Sequence, residues 1–470
     1  MINPIPWNQW YSITSNARSA LWVVPFLSLL AAIAVKRVAE KVGGLMVDAG
    51  WYDLKTGFLA LTYAEAQGLL DRVFTLNLSF LVFTFGSLLV AIQIAGGQYT
   101  PRIIATTLLR DKVIRWIVGL FVFSLIWSNR ALVQLNEAQV QQFQVFLTAA
   151  FGLASLIAFL LLIDYSARLL RPVRLVAWVA RSVAEAIDDI YSSATLEPEA
   201  PMQAPRKRKR SWGFITLRPH TPRTQREPTS KHGTPQHVVR QGDKAGIVIA
   251  VNFDALIAEA QRAGCVIEVM PQVGDLVAPG SALFNIYGNA TAPEERRLRR
   301  LIAFGTERTI EQDPLFGFRI IVDIAIKALS PAINDPTTAV LALDQLHQLL
   351  RVLGARSLRA EEFTDAAGEL RLIHRTPNWE DYVRISCREI RAYGVNNFQI
   401  ARRLRAMLED LIESLPERRR AALEEELDLL DRAVLKHYAL SEDLALARIA
   451  DSQGLGGSVR GAAAMEEEPS

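Results

Sequence analysis

Four apolar stretches, residues 21–39, 73–95, 113–132 and 145–163, crowd the first third of the chain, and almost none follow. Each approaches the ~20 residues a helix needs to cross a bilayer. The pattern predicts a four-helix transmembrane domain over residues 1–165. Beyond it the periodicity changes. Residues 166–191 read as an amphipathic connecting helix, with Leu170, Val173, Ala177, Ala180 and Ala184 on one side and Arg171, Arg174, Arg181 and Glu185 elsewhere. Residues 192–242 are dense in Pro, Thr, Arg and Lys without sustained periodicity, which predicts a disordered basic linker. Residues 243–290 alternate as a small α/β unit: strand 245–251, helix 254–263 capped by Asp254, strand 265–270, and a hairpin over 276–287 that uses Gly274 and Gly280 for positive-φ turns. Residues 291–453 predict a helical cytosolic domain, and residues 454–470 a disordered tail. The fold class is thus a membrane α-helical bundle followed by a mainly helical α+β cytosolic domain.

Within the helical region a charged helix is expected at 294–308 and an apolar one at 314–330. Pro331 stops the second, because the residue before a proline is pushed out of the α region. Asp335 is a good N-cap and Pro336 fits the first helical position of the next helix, 337–353. A helix–loop–helix corner results.

Loop charge orients the spans. Arg102, Arg110, Lys112 and Arg115 face one acid, Asp111, in the second loop, and Arg168, Arg171, Arg174 and Arg181 follow the fourth span. The loop at 127–144 holds only Arg130 and Glu137. The positive-inside rule makes the two basic segments cytoplasmic and places both termini inside. Lys36 and Arg37, at the expected outer end of the first span, read as snorkelling. Trp7, Trp10, Tyr11, Trp51, Tyr52, Trp116 and Trp127 fall near span ends, as interfacial anchors do.

The second span repeats Ser79, Gly86 and Gln93 every seven residues, a small and mildly polar face that serves either helix packing or a pore. Ala150, Ala154 and Ala158 make a small-xxx-small pattern on the fourth span, which reads as packing. No ionisable residue lies deep in spans two or four, which argues against proton-coupled carriage. These faces predict a homo-oligomer.

The chain is 50% hydrophobic, yet its net charge is only +3, too little to imply nucleic acid. The positive charge is local, in Arg206, Lys207, Arg208, Lys209 and Arg210, a run suited to anionic lipid. The two cysteines, Cys265 and Cys387, offer neither a disulfide framework nor metal spacing. No phosphate-binding glycine loop, HExxH or nucleophile elbow occurs, and the six histidines are scattered, so no cofactor, metal or catalytic residue is assigned. Arg308, Asp313, Arg319, Asp323, Asn334 and Asp335 are the candidate polar site: a structural network, a ligand site for a small charged molecule, or a catalytic one.

Two resemblances follow from motifs. Val273-Gly274-Asp275-Leu276-Val277-Ala278-Pro279-Gly280 resembles a biotinyl or lipoyl-type hairpin, without the lysine such domains modify. Arg308-Thr309, Gln312-Asp313-Pro314, Phe316-Gly317, Val322-Asp323-Ile324-Ala325 and Ala328-Leu329-Ser330-Pro331-Ala332-Ile333-Asn334-Asp335-Pro336, then Thr338-Ala339, resemble the signature of the domain of unknown function 2254 family, and Gln98-Tyr99-Thr100-Pro101-Arg102 is similar to a second motif of it. The resemblance implies a bacterial plasma (inner) membrane protein with four spans and a cytosolic domain, and brings no activity. Three functions stay open: an oligomeric channel or transport-like assembly with a cytosolic regulatory domain, a membrane-anchored sensor or scaffold, and a membrane-bound enzyme.

Overall fold

The computed structural model describes residues 6–19, 22–48, 61–98, 111–135, 142–169, 171–191, 233–288, 293–358 and 362–456. Two compact units emerge: residues 16–175, and residues 1–15 together with 176–470. Residues 99–102 of the motif that starts at Gln98, the basic run at 206–210 and most of the expected linker lie outside the described residues.

The first unit holds α2 (Val23–Asp48), α3 (Tyr63–Gln98), α4 (Lys112–Val133) and α5 (Gln142–Leu169). Among the described residues three helices are long and apolar enough to cross a membrane: Tyr63–Ile94, Lys112–Val133 and Gln142–Ser166. The first expected span lies on α2, which is not one of those three. Inward positions recur every three or four residues, as helix packing requires: Leu70, Val73, Asn77, Phe80 and Thr84 on α3, and Ile114, Val118, Phe121 and Ser124 on α4. Small residues set the closest approaches. A Cβ added at Gly152 of α5 would stand 2.8 Å from a Val73 methyl, and one at Gly119 of α4 would stand 2.7 Å from Ser28 Oγ of α2. The contact on α5 thus falls at Gly152, whereas Ala150, the first residue of the expected alanine pattern, is exposed.

Two sequence expectations fail in this unit. Lys36 does not snorkel. It shares the inward stripe of α2 with Ala32 and Ala39, and only 4% of it is exposed. Trp127 is no interfacial anchor: α4 runs on to Val133, which buries Trp127, and its indole donates to Thr148 Oγ1 at 3.1 Å.

The second unit carries two sheets. The five-stranded one has the order β1 (His237–Arg240), β5 (Ala282–Tyr287), β3 (Val266–Val269), β8 (Leu370–His374), β7 (Glu362–Thr364), and only β3 and β8 run parallel in it. The three-stranded one is β4 (Leu276–Val277), β2 (Gly246–Val251), β6 (Ile302–Gly305), all antiparallel. Val248 and Val251 of β2 enter the main core with Leu256, Ile267, Phe284 and Leu372. The opposite face, Ile249 and Ala250 with Ala303 of β6, is covered by Trp7 and Tyr11 of α1 (Trp7–Ser19). Those two rings, expected at a membrane interface, instead stack on each other at 5.3 Å between centroids.

Several local expectations are revised. β1 lies inside the segment expected as linker, because His237–Arg240 extends the sheet along β5. The expected hairpin over 276–287 does not form: β4 joins β2 while β5 joins β1 and β3, so the glycines turn the chain between sheets. Gly274 and Gly280 do take positive φ, +97° and +77°. The helix α7 (Phe253–Ala263) is capped by Asn252, whose side chain accepts from Ala255 N, not by Asp254. The charged helix expected at 294–308 stops as α8 (Glu295–Arg299), since the apolar Ile302-Ala303-Phe304 gains more by pairing with β2.

The helical part packs α9 (Pro314–Ala328) against α10 (Pro336–Gly354) and α11 (Trp379–Gly394), and α12 (Phe398–Ser414) and α13 (Arg420–His437) complete the stack, with α14 (Ser441–Ala447) beside them. The connecting helix α6 (Pro172–Ile190) buries Val176, Val179, Val183 and Ile187. That face is rotated from the expected one, and Val173 is exposed. Arg356 fixes the end of α6 by pairing with Asp188 and donating to the Tyr191 carbonyl at 2.9 Å. Residues 454–456, expected in the tail, are ordered: the Gly454 and Gly456 carbonyls accept from Gln399 and Arg402.

Candidate functional site

The six candidate residues are spread along α9 rather than gathered. At its start Asp313 caps the helix, accepting from Phe316 N at 3.0 Å, while Arg308 Nη2 donates to its other oxygen at 2.6 Å. Asp313 is 4% exposed, and burial pushes its carboxyl above the ordinary carboxylate range against the pull of Arg308. Gly274 makes this pair possible: a Cβ there would overlap the Arg308 guanidinium. The neighbouring Gln312 accepts from Val251 N at 2.9 Å and so ties the helix start to β2.

Mid-helix, Arg319 Nε donates to Asp323 Oδ1 at 2.6 Å, and its two terminal nitrogens grip Glu389 of α11. The fork matches carboxylate geometry and satisfies all three groups. Hydrogen bonding from Arg319 holds the Glu389 carboxyl below its usual range.

At the far end, Asp335 accepts from Thr338 N at 3.1 Å and from Thr338 Oγ1 at 2.5 Å, an N-cap doubled by a hydroxyl. Asn334 precedes it at φ +49°, the one non-glycine residue in the left-handed region among the described residues. Asparagine tolerates that region better than most. The turn is closed by Asn334 N to Ser330 O at 2.8 Å and Asp335 N to Ala328 O at 2.8 Å. Fifteen residues of α9 separate Asp313 from this corner, about 22 Å at 1.5 Å per residue. The structure therefore makes three pairs, Arg308 with Asp313, Arg319 with Asp323, Asn334 beside Asp335, and no single pocket from all six.

Ser79, Gly86 and Gln93 point out of their own bundle. All three are exposed, Ser79 Oγ turns back to Thr75 O at 2.8 Å, and nothing lies within 4 Å of a Cβ added at Gly86. Among the described residues they do not pack helices together.

Sequence reasoning missed the buried arginines of α12. Arg402, Arg403 and Arg405 are at most 7% exposed. Arg402 donates to the Ile449 carbonyl at 3.0 Å and the Gly456 carbonyl at 2.7 Å. Arg403 joins Asp344 at 2.8 Å and His347 Nδ1 at 3.1 Å. The signal was present: Arg403 sits three residues after Ile400 and four before Met407, on the apolar stripe. Among the described residues no three His, Cys, Asp or Glu side chains are grouped to hold a metal ion.

The family described as predicted membrane protein (DUF2254) matches residues 18–410. The chain belongs to that family. Two relatives, uncharacterized protein Mb1321c of Mycobacterium bovis and uncharacterized protein Rv1290c of Mycobacterium tuberculosis, are each 25% identical over 457 residues, covering 93% of this chain and 81% of theirs. No solved structure matches. The family extends from just before α2 to the end part of α12, so it spans the bundle, both sheets and the corner.

Proposed function

We propose that this DUF2254 protein is a four-span protein of the bacterial inner membrane, with both termini cytoplasmic, working as a homo-oligomeric channel or transport-like assembly under a cytosolic regulatory domain. One observation carries the topology. Trp7 and Tyr11 of α1 pack on β2 and β6 of the C-terminal region, so the chain before the bundle and the chain after it belong to one folded unit. A chain that leaves and returns to the same side crosses an even number of times. Three helices qualify by length and composition, and α2 supplies the fourth crossing.

Oligomerisation is supported by the Ser79, Gly86 and Gln93 face, which is exposed on α3 among Leu78, Val82, Phe85 and Leu89. Polar and small groups facing outward from a membrane helix are better satisfied by another helix than by lipid tails. The basic run at 206–210 is assigned to anionic lipid at the inner leaflet. A sensor or scaffold is the second reading. It is favoured by the aromatic packing inside the bundle, where Phe80 stacks on Phe159 at 4.2 Å between α3 and α5.

Single cysteines at Ser79, Gly86 and Gln93, oxidised in native membranes, test the assembly. Disulfide-linked oligomers at these positions, and not at Leu78 or Phe85, are expected, together with solute flux in liposomes. A monomer at every position overturns the assembly. Cross-linking without flux for any ion or small solute favours the scaffold.

A further inference from the structure

The inward residues of α3, α4 and α5 meet in levels. Phe80 lies against Phe121 at 5.6 Å and against Phe159 at 4.2 Å between ring centroids. One turn away, Asn77 Nδ2 donates to Ser124 Oγ at 3.0 Å. Val73 meets Gly152 and Phe80 meets Phe159, so α3 and α5 run in parallel register, and that register puts Ser155 within one residue of the level of Asn77. On the other side of this level Trp127 lies against Phe151 at 5.2 Å. A polar level is thus enclosed between two aromatic ones.

Its position is central. Asn77, Ser124 and Ser155 each fall within two residues of the middle of Tyr63–Ile94, Lys112–Val133 and Gln142–Ser166. At 1.5 Å per residue that is about 3 Å from the middle of each span. All three side chains are 0% exposed.

Their hydrogen bonding is incomplete. Asn77 spends both amide hydrogens, on Val73 O at 2.8 Å and on Ser124 Oγ. Its Oδ1 has no partner, and neither has Ser155 Oγ, although both atoms are fully buried. In an apolar interior a buried polar atom left without a partner is costly. The two do not bond each other. What Oδ1 lacks is a donor, and no acid stands among the three residues to favour a cation. A neutral molecule that both donates and accepts fits, given the two to four polar partners that a buried water takes.

We propose that Asn77, Ser124 and Ser155 form a midplane site for one water molecule, which donates to Asn77 Oδ1 and joins the Ser155 hydroxyl. The proposal rests on these helices being membrane spans. The water makes the junction of three helices a hydrogen-bonded one, held shut by the Phe80, Phe121 and Phe159 level.

A double-mutant cycle tests it in thermal unfolding of the full-length protein in mild detergent. Ser155→Ala and Asn77→Leu should each lower Tm, and the double variant should fall by less than their sum, because the bridging molecule is lost once. Additive effects, or a rise in Tm for Ser155→Ala, overturn the site. If Asn77→Leu does not fold, hydroxyl-radical footprinting of the wild-type protein replaces the cycle. Phe121, next to an internal water, should oxidise well above the equally buried Phe318, and equal rates overturn the site. Alkaline extraction separates the two ideas: release of the wild-type chain from membranes would overturn the spans themselves, whatever the cycle gives.

Discussion

Arg403 Nη2 donates to His347 Nδ1 at 3.1 Å, and this forces the imidazole proton onto Nε2, where it faces Asp410 Oδ2 at 2.7 Å. Arginine cannot accept, so His347 stays neutral in this arrangement. Burial, and after it the Arg403 charge, hold the ring below its ordinary value of 6.5, while Asp410 pulls the other way. Burial pushes His374, packed on Phe253, down to about 4.

Both histidines give the same pH dependence. The unfolded chain takes up protons near pH 6.5, and the folded rings take them up only at lower pH. The unfolded state therefore binds more protons in that window, and stability is lost as pH falls below about 6.5. Urea midpoints measured from pH 7 to pH 5 should decline. The decline should flatten in His347→Gln and further in His347→Gln with His374→Phe. An unchanged slope in the double variant refutes the assignment.

Gly317 lets α9 close on α6, since a Cβ there would overlap Val183 Cγ2. Gly317→Ala should destabilise the protein by about 1–3 kcal/mol. Adding Val183→Ala should return part of the loss. Calorimetry or urea unfolding checks it, and a neutral Gly317→Ala would mean that α6 moves freely at this point.

Asp335→Ala should cost about 1 kcal/mol, because Thr338 N loses its acceptor. Asp335→Ser keeps a cap and removes the charge. Unchanged stability with lost flux or lost assembly in the Ser variant makes the corner a functional one. Full activity in the Ser variant makes it a cap alone.

Arg402→Leu should free residues 449–456, which the guanidinium holds by two carbonyls. Limited proteolysis should then cut within that segment while the rest of the unit resists. An uncut segment would show that Asp451, which accepts from Gly456 N at 2.7 Å, suffices to hold it.

Local chemistry made much of this legible in advance. Pro336 behind Asp335 starts α10 where expected, because a cap and a fixed φ act within one turn. Gly274 and Gly280 take the positive φ that their turns need. The apolar runs of α3, α4 and α5 declare themselves by length alone. What failed is what depends on partners distant in sequence. β4 and β5 read as one hairpin but belong to different sheets, because strand pairing is decided by whichever edge is free. Trp7 and Tyr11 carry the composition of an interfacial anchor, yet Ile249, Ala250 and Ala303 offer them an apolar face. The six charged and polar residues of the signature look like one cluster along the chain. The rise of α9 separates them, and Glu389, 66 residues beyond Asp323, joins Arg319 and Asp323 from another helix. The sequence by itself determined the apolar helices, the caps and the turns, since these are short-range consequences of side-chain size and backbone freedom. Only the tertiary structure decided which face of α6 is buried, where Lys36 and the α12 arginines go, and that Asn77 and Ser155 lie within one residue of the same level, because burial is set by neighbours and not by the residue.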